Sequence, residues 1–222
     1  MKALVTGAAG FIGSHLADRL VADGATVVGI DSFTDFYPRA TKERNLARLH
    51  SSSVFSLVES TLADADLPAL LDGVTHVFHL AAQAGVRQSW GQHFHVYTVN
   101  NVEATQLLLE ACVGRPIERL VYASSSSVYG DSVPLPMQED ARRQPVSPYG
   151  VTKLAAEQLC SLYHVSYGVL QRSPFGFLPS MGPVSDQTWG LPGSCGRAPA
   201  GRPCGSSATA DRRATSPLWP TP

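Results

Sequence analysis

Short apolar runs alternate along the chain with longer segments in which apolar residues recur every three or four positions. The short runs are typical of buried strands, and the longer segments are typical of amphipathic helices. The pattern predicts strands at residues 3–5, 26–30, 54–58, 75–80 and 119–123. It predicts helices at residues 14–22, 41–49, 66–71 and 96–113, and another that opens near residue 147. This alternation predicts an α/β fold, a doubly wound parallel sheet with helices on both faces.

A glycine-rich turn separates the first predicted strand from the first helix. Gly7, Gly10 and Gly13 stand at three-residue spacing, and the helical pattern starts near Phe11. Such glycines allow a sharp turn, close approach of backbone N–H groups to a pyrophosphate, and tight packing of helix on strand. A helix N-terminus also favours negative charge. The turn therefore indicates a dinucleotide site, with a glycine turn of some other α/β protein as the alternative.

Polar and small residues follow several of the other predicted strands. Asp31 comes about 20 residues after the glycines, where a carboxylate binds the adenosine ribose and repels a 2′-phosphate. This favours NAD over NADP, and a solvated turn aspartate is the alternative interpretation. Ala81 and Ala82 follow the fourth strand, and serines occupy residues 124–127 after the fifth. All lie at carboxyl ends of strands, where ligands of such sheets bind.

Tyr149 and Lys153 are candidate catalytic residues on the last predicted helix. Ser147 suits its N-cap, and Pro148 suits its first position. Because Tyr149 and Lys153 are four residues apart, both side chains project from one helix face. A nearby ammonium lowers the pKa of a phenol, which is ordinarily about 10. Tyr149 could then take the proton of a substrate hydroxyl while hydride passes to a nicotinamide. An ordinary packed tyrosine with a solvated lysine is the alternative.

Composition narrows the class of partner. The chain has 222 residues and a net charge of −1, which argues against nucleic acid and anionic membranes as partners. No apolar run reaches the roughly 18 residues of a membrane span, and no signal peptide is recognisable, so we expect a cytoplasmic protein. Cysteines 112, 160, 195 and 204 form no C-x-x-C pair, and we expect the first two to be buried thiols.

Two other kinds of site are disfavoured. His76 and His79 lie on or beside the fourth predicted strand. His93 and His95 lie near the start of a helix, where two-residue spacing does not put both rings on one face, so we expect no metal site. The serine run lacks the G-x-S-x-G elbow of a hydrolase nucleophile.

Four ordered motifs, TGAAGFIG, HLAAQAGVR, YASSSSVYGD and SPYGVTKLAAE, resemble the extended short-chain dehydrogenase/reductase family. Within it they are most similar to the nucleotide-sugar epimerases, in particular those of the UDP-glucuronate 4-epimerase type. The resemblance covers residues 1–168 and implies a Rossmann fold. It makes residues 1–170 an NAD-binding domain that carries the catalytic tyrosine and lysine.

The resemblance also implies roles for single residues. Ser125 would be the catalytic serine, with Ser126 as the fallback, beside Tyr149 as base and Lys153 as its support. NAD would be bound by residues of the glycine turn, of two strand ends and of two helices: Gly7, Gly10, Phe11, Ile12, Gly13, Asp31, Leu80, Ala81, Ala82, Asn100, Tyr149 and Lys153. The pair Thr61-Leu62 departs from the family, which usually places an aspartate there against adenine.

The implied reaction is epimerisation at carbon 4 of a UDP-sugar, with UDP-glucuronate as the expected substrate and a homodimer as the expected assembly. Related dehydratases and decarboxylases begin with the same oxidation, so they remain alternatives. A non-catalytic NAD-binding fragment is a third.

From about residue 171 onward the pattern collapses. Nine of the sixteen prolines lie beyond this point, and lysine, glutamate, isoleucine, asparagine, histidine and tyrosine are absent. One interpretation is an irregular or disordered tail over residues 171–222. Another is a slipped reading frame. In a shifted frame, the third base of each codon is read together with the first two bases of the next codon. In that frame the codons of residues 179–197 can encode VYGPRQRPDMGFARLVR, and those of residues 203–221 can encode VRVFGDGRQTRDFTFVAD. Both strings resemble family segments, which predicts a frame slip between residues 168 and 171 that replaces the substrate domain and leaves activity in question.

Overall fold

The structure of the protein is a computed structural model that describes residues 1–134 and 136–169. The predicted tail, with Cys195 and Cys204, lies outside the described residues. None of the described helices is long and apolar enough to cross a membrane.

A parallel sheet forms the centre of the described chain. Its strands are β1 Lys2–Thr6, β2 Thr26–Asp31, β3 Phe55–Glu59, β4 His76–His79 and β5 Arg119–Tyr122. They lie in the order β3-β2-β1-β4-β5, and every neighbouring pair is parallel. The strand order reverses between β1 and β4, which creates a crevice outside their carboxyl ends where ligands of such sheets bind. The prediction of a doubly wound parallel sheet is confirmed.

Helices connect the strands and cover the sheet. They are α1 Phe11–Ala22, α2 Arg39–Leu46, α3 Leu67–Leu70, α4 Phe94–Tyr97, α5 Ala104–Cys112 and α6 Pro148–Tyr167. A π-helical segment, Thr98–Glu103, joins α4 to α5, so the long helix predicted at 96–113 is one helical run with a π turn inside it. Such turns occur frequently at functional sites.

Two apolar clusters pack on opposite faces of the sheet. Because successive side chains of a strand point to opposite faces, Leu4 belongs to one cluster, while Ala3 and Val5 belong to the other. All three are fully buried. Cys112 and Cys160 are free, buried thiols of the first cluster, as predicted, and burial raises the pKa of both to about 12.

Candidate active site

The glycine turn lies at the point where the strand order reverses. The N–H groups of Gly7 and Ala8 donate to Ile30 O at 2.8 and 3.2 Å, which ties the turn to the end of β2. Gly7 has a φ of +68°, and a Cβ there would lie 2.9 Å from Ala81 N. A Cβ at Gly13 would collide with the Gly7 carbonyl. Only glycine fits at these two positions.

The N-terminus of α1 opens directly after this turn. Gly10 is its N-cap and offers no capping side chain, and Ser14 N–H makes the first helical bond, to Gly10 O at 2.9 Å. The N–H groups of Phe11, Ile12 and Gly13 therefore have no intrahelical acceptor. A pyrophosphate fits such a helix end because free N–H groups and the helix dipole both favour negative charge.

Asp31 is the last residue of β2 and is buried. Its Oδ2 accepts a hydrogen bond from Ala9 N–H at 3.1 Å, and its Oδ1 accepts from Phe33 N–H at 2.8 Å. Oδ1 also forms an ion pair with Lys42 Nζ at 2.9 Å. The carboxylate is therefore fixed beside the glycine turn, where an adenosine ribose is predicted.

Lys42 is a site residue that the sequence interpretation missed. It lies on α2, and the buried residues of that helix are Lys42 and Leu46, one turn apart. That spacing was the available signal, since a lysine on the buried stripe of a helix needs a charged or polar partner. Its partner, Asp31, lies eleven residues earlier in the chain.

The end of β4 is tied to β1 by a hydrogen-bonded threonine. Thr6 Oγ1 accepts from Leu80 N–H at 3.1 Å and from Ala81 N–H at 3.0 Å, so its own proton goes to His79 Nδ1 at 2.7 Å. His79 Nε2–H then donates to Thr105 Oγ1 at 2.9 Å. Burial, with the nearby Lys153 charge, lowers the pKa of His79 to about 3. His79 is thus a neutral structural residue.

No group of three or more histidine, cysteine, aspartate or glutamate residues suited to a metal occurs within residues 1–134 and 136–169. His93 and His95 lie at the surface.

Two neighbouring asparagines occupy the π segment. Asn100, the predicted cofactor residue, is half-buried and donates from Nδ2 to Val96 O at 2.8 Å. Asn101, which was missed, is fully buried; its Oδ1 accepts from Gln83 N–H at 2.7 Å, and its Nδ2 donates to Thr152 Oγ1 at 3.0 Å. Asn101 therefore ties the segment after β4 to α6.

The start of α6 is held from both sides. Ser147 Oγ accepts from Gly150 N–H at 3.1 Å, as the predicted N-cap, and Pro148 takes the first helical position. Tyr149 N–H donates to Ser89 Oγ at 3.1 Å, and Thr152 Oγ1 donates to Tyr149 O at 2.8 Å. These contacts fix the backbone from which Tyr149 projects.

The Tyr149 phenol meets the serine cluster that follows β5. Ser125, the predicted catalytic serine, lies near the Tyr149 phenol, and the interaction of its hydroxyl with the phenol lowers the pKa of Tyr149. Burial has the larger, opposite effect, so the pKa of Tyr149 is raised overall. The Tyr97 ring packs edge-on against it at 6.2 Å between centroids. The structure therefore brings Ser125, rather than the fallback Ser126, to Tyr149.

Lys153 lies one turn further along the same face of α6 and is 2% exposed. Its Nζ stands 4.4 Å from the centroid of the Tyr122 ring, and burial lowers its pKa to about 8. The hydroxyls of Tyr122 and Ser124 are buried and have no hydrogen-bond partner among the described residues. This end of the crevice thus holds a buried cation and a phenol with a serine beside it, an arrangement suited to general-base chemistry on a hydroxyl.

Known proteins are similar to this chain over most of its length. The model of the NAD dependent epimerase/dehydratase family matches residues 3–173. An uncharacterized UDP-glucose epimerase of Bacillus subtilis, YtcB, is 49% identical over 170 residues, which are 76% of this chain and 54% of that protein. UDP-glucuronate 4-epimerase 3 of Arabidopsis thaliana is 41% identical over 194 residues, 85% of this chain and 43% of that one.

A solved structure agrees with these relatives. The UDP-glucuronic acid 4-epimerase of Bacillus cereus, in complex with UDP-glucuronic acid and NAD, superposes with a TM-score of 0.73 at 45% identity. The match covers 76% of this chain and 54% of that one. The chain spans about half the length of the relatives it matches. From the family model, the parallel sheet and the glycine turn together, the chain belongs to the NAD dependent epimerase/dehydratase family.

Proposed function

We propose that this chain carries the NAD-binding and catalytic half of an enzyme that epimerises carbon 4 of a UDP-sugar, with UDP-glucuronate as the substrate. The observation that carries this proposal is the meeting of Ser125, Tyr149 and Lys153 at the same sheet edge as the glycine turn and Asp31. The relatives support the substrate class, since UDP-glucuronate and UDP-glucose epimerases both occur among them.

The residues at this edge fit NAD. Two glycines occupy positions where a Cβ would collide with the turn or with the segment after β4, and the N-terminus of α1 offers free N–H groups. We assign the pyrophosphate to Gly7, Gly10, Phe11, Ile12 and Gly13, the ribose to Asp31, and the remaining contacts to Leu80, Ala81, Ala82, Asn100, Tyr149 and Lys153. Bound NAD would supply the acceptor for the hydride from carbon 4 and return that hydride to the other face of the sugar.

The protein's own residues handle the proton. Tyr149 takes it from the 4-hydroxyl as the C–H hydride leaves, and returns it when the 4-keto sugar is reduced. Ser125 hydrogen-bonds the same sugar oxygen. With a pKa of about 8, Lys153 is charged at neutral pH, and its ammonium favours the Tyr149 phenolate. Above pH 8 that support is lost as Lys153 deprotonates.

The fragment alternative has its own observation, namely that the chain covers only about half of each relative. We propose that residues 171–222 are read out of frame after a slip near residue 170, that the present chain binds NAD, and that the frame-restored chain is the epimerase. We further propose a cytoplasmic homodimer as its working form. Dehydratase and decarboxylase activity are the competing reactions of the same site.

The test compares the 222-residue chain, a version with the frame restored near codon 170, and that version with Tyr149→Phe. We expect the restored chain to convert UDP-glucuronate to UDP-galacturonate, as followed by chromatography of the nucleotide sugars. Tyr149→Phe should lower turnover by roughly 10² to 10⁴ while NAD binding persists, because the ring stays and the proton acceptor goes.

Three results would contradict the proposal. They are release of a dehydrated or decarboxylated sugar, unchanged turnover in Tyr149→Phe, and coding DNA that lacks the family sequence in the shifted frame.

A further inference from the structure

Taken by itself, the carboxylate of Asp31 argues for NAD over NADP, but in the structure a lysine pairs with it. We propose that Lys42 sets the discrimination between the two cofactors, by neutralising Asp31 and so weakening its rejection of a 2′-phosphate. The inference rests on the proposed function, since it takes a nicotinamide dinucleotide as the ligand of this crevice.

The Asp31–Lys42 pair is deeply buried. The two side chains are 7% and 6% exposed, and Lys42 Nζ lies 2.9 Å from Asp31 Oδ1. Charges interact more strongly where water is excluded, so each of these groups nearly cancels the field of the other at a distance. The 2′-position of a ribose beside Asp31 would therefore face a neutral pair.

The two carboxylate oxygens of Asp31 are not equally available. Oδ1 already accepts two bonds, from Phe33 N–H and Lys42 Nζ, while Oδ2 accepts one, from Ala9 N–H. A carboxylate oxygen has two lone pairs, so Oδ2 keeps capacity for a ribose hydroxyl and Oδ1 does not. Lys42 thus leaves the ribose contact intact while it removes the excess negative charge.

Lys42 is held in this position by its neighbours. The rings of Phe33 and Tyr37 stand 5.4 and 5.3 Å from its Nζ. Asn45 Nδ2 donates to Ala9 O at 3.0 Å, which ties α2 to the glycine turn. The cation cannot swing away without breaking this packing.

Other charges near this cluster lie at the surface and pair with one another. Arg39 lies 4.5 Å from the Phe33 ring centroid and pairs with Glu59 and Glu43 at the surface. All three side chains are about half exposed, so water and salt screen them. The buried lysine is therefore the cation that decides the charge at Asp31.

The experiment measures the dissociation constants of NADH and NADPH with the 222-residue chain, by fluorescence at low and physiological salt. The readout is the ratio of the NADPH constant to the NADH constant. Because both are measured on one sample, a partly unfolded fraction cancels in the ratio. We expect Lys42→Met to raise this ratio by about tenfold or more, since Asp31 then meets the phosphate uncompensated.

Two further variants and a control fix the interpretation. Lys42→Arg, which keeps the charge, should keep the wild-type ratio. Asp31→Asn, which leaves Lys42 unpaired, should lower the ratio below the wild-type value. Arg44→Met removes one exposed positive charge from the same helix and should change nothing.

An unchanged ratio in Lys42→Met overturns the inference but leaves the proposed function standing. If Lys42→Met does not fold, an unchanged or higher ratio in Asp31→Asn overturns it equally. Failure of the wild-type chain to bind either cofactor would contradict both this inference and the cofactor assignment, whereas the frame-restored epimerase assay tests the reaction separately.

Discussion

Two lysines are buried in the described chain, and their surroundings differ. Lys42, beside the glycine turn, is paired with Asp31 and enclosed by two aromatic rings. Lys153, on α6, forms no ion pair with a carboxylate in the part of the chain that the structure describes. It has the Tyr122 ring at 4.4 Å, and its nearby buried hydroxyls are unpartnered.

The difference separates a structural charge from a functional one. A buried ammonium with a carboxylate partner is compensated and remains fixed, and removing one member exposes the other to an apolar surrounding. A buried ammonium without such a partner costs stability and keeps its interactions for an incoming phenolate or ligand. The two lysines should therefore respond to the same substitution with opposite signs.

The two largest effects, of opposite sign, are expected at Lys42 and Lys153. Lys42→Met should lower the free energy of unfolding by about 3 kcal/mol, the low end of the range for breaking a buried pair, because two N–H bonds still support Asp31. Urea unfolding followed by circular dichroism measures this change, with Arg44→Met as the control of equal charge. A loss of unfolding free energy no larger than that of Arg44→Met would show that Asp31 and Lys42 do not compensate each other's charge.

Lys153→Met should act in the opposite direction. The folded-state pKa of Lys153 is about 8 against an ordinary 10.5, so the unfolded chain binds its proton more tightly across that interval. The charged lysine therefore destabilises the fold below pH 8, by about 3 kcal/mol, and this cost disappears as pH rises towards 10.5.

Thermal melts from pH 7 to 10 test this second prediction. The variant should melt higher than wild type by roughly 2 to 4 °C for each kcal/mol at pH 7, and the two should converge at high pH. If Lys153→Met melts at a lower temperature than wild type at pH 7, the charge of Lys153 is compensated in the fold, as that of Lys42 is.

The smallest effect is expected at Tyr122. Its ring supports the Lys153 ammonium, whereas its buried hydroxyl has no hydrogen-bond partner among the described residues. Tyr122→Phe keeps the ring and removes an unsatisfied group, so it should be neutral or stabilising by about 1 kcal/mol. Tyr122→Leu is the matched comparison, since it removes the ring and should lower the stability. If Tyr122→Phe lowers the stability as much as Tyr122→Leu does, the Tyr122 hydroxyl has a hydrogen-bond partner.

The order of elements was predictable because it depends on local pattern. Buried strands, the glycine turn and the Ser147-Pro148 start of α6 all carry short-range signals. The ends of single strands and helices were less predictable. β2 includes Asp31, one residue beyond the strand predicted at 26–30, and α2 runs over Arg39–Leu46 instead of the predicted 41–49. The π turn was not predictable, since the apolar repeat across it stays close to that of an ordinary helix.

The residues of the candidate site also divide into those that a local pattern predicts and those that it does not. Tyr149, Lys153 and Ser125 belong to contiguous motifs, and the structure brings the phenol and the serine together. Asn101 acts through Thr152, which lies far away in sequence, so no spacing along the chain identifies its role. Lys42 had a local signal, its place on the buried stripe of α2, but that signal does not identify its partner. Assignment of the predicted residues to NAD and sugar stays a prediction.

The register of the sheet bears on how the protein is made. β1 pairs on one edge with β2, the next strand in the chain. On its other edge it pairs with β4, where Ala3 lies opposite His76, much later in the chain. β5 is the last of the described strands to be added. Among the described residues, every strand pairing is therefore encoded before residue 123, and α6 is complete at Tyr167. At about 5 to 20 residues per second, the ribosome has synthesised all five described strands before it reaches residue 171. A change of sequence after residue 170 thus comes too late to alter the order in which these strands are synthesised.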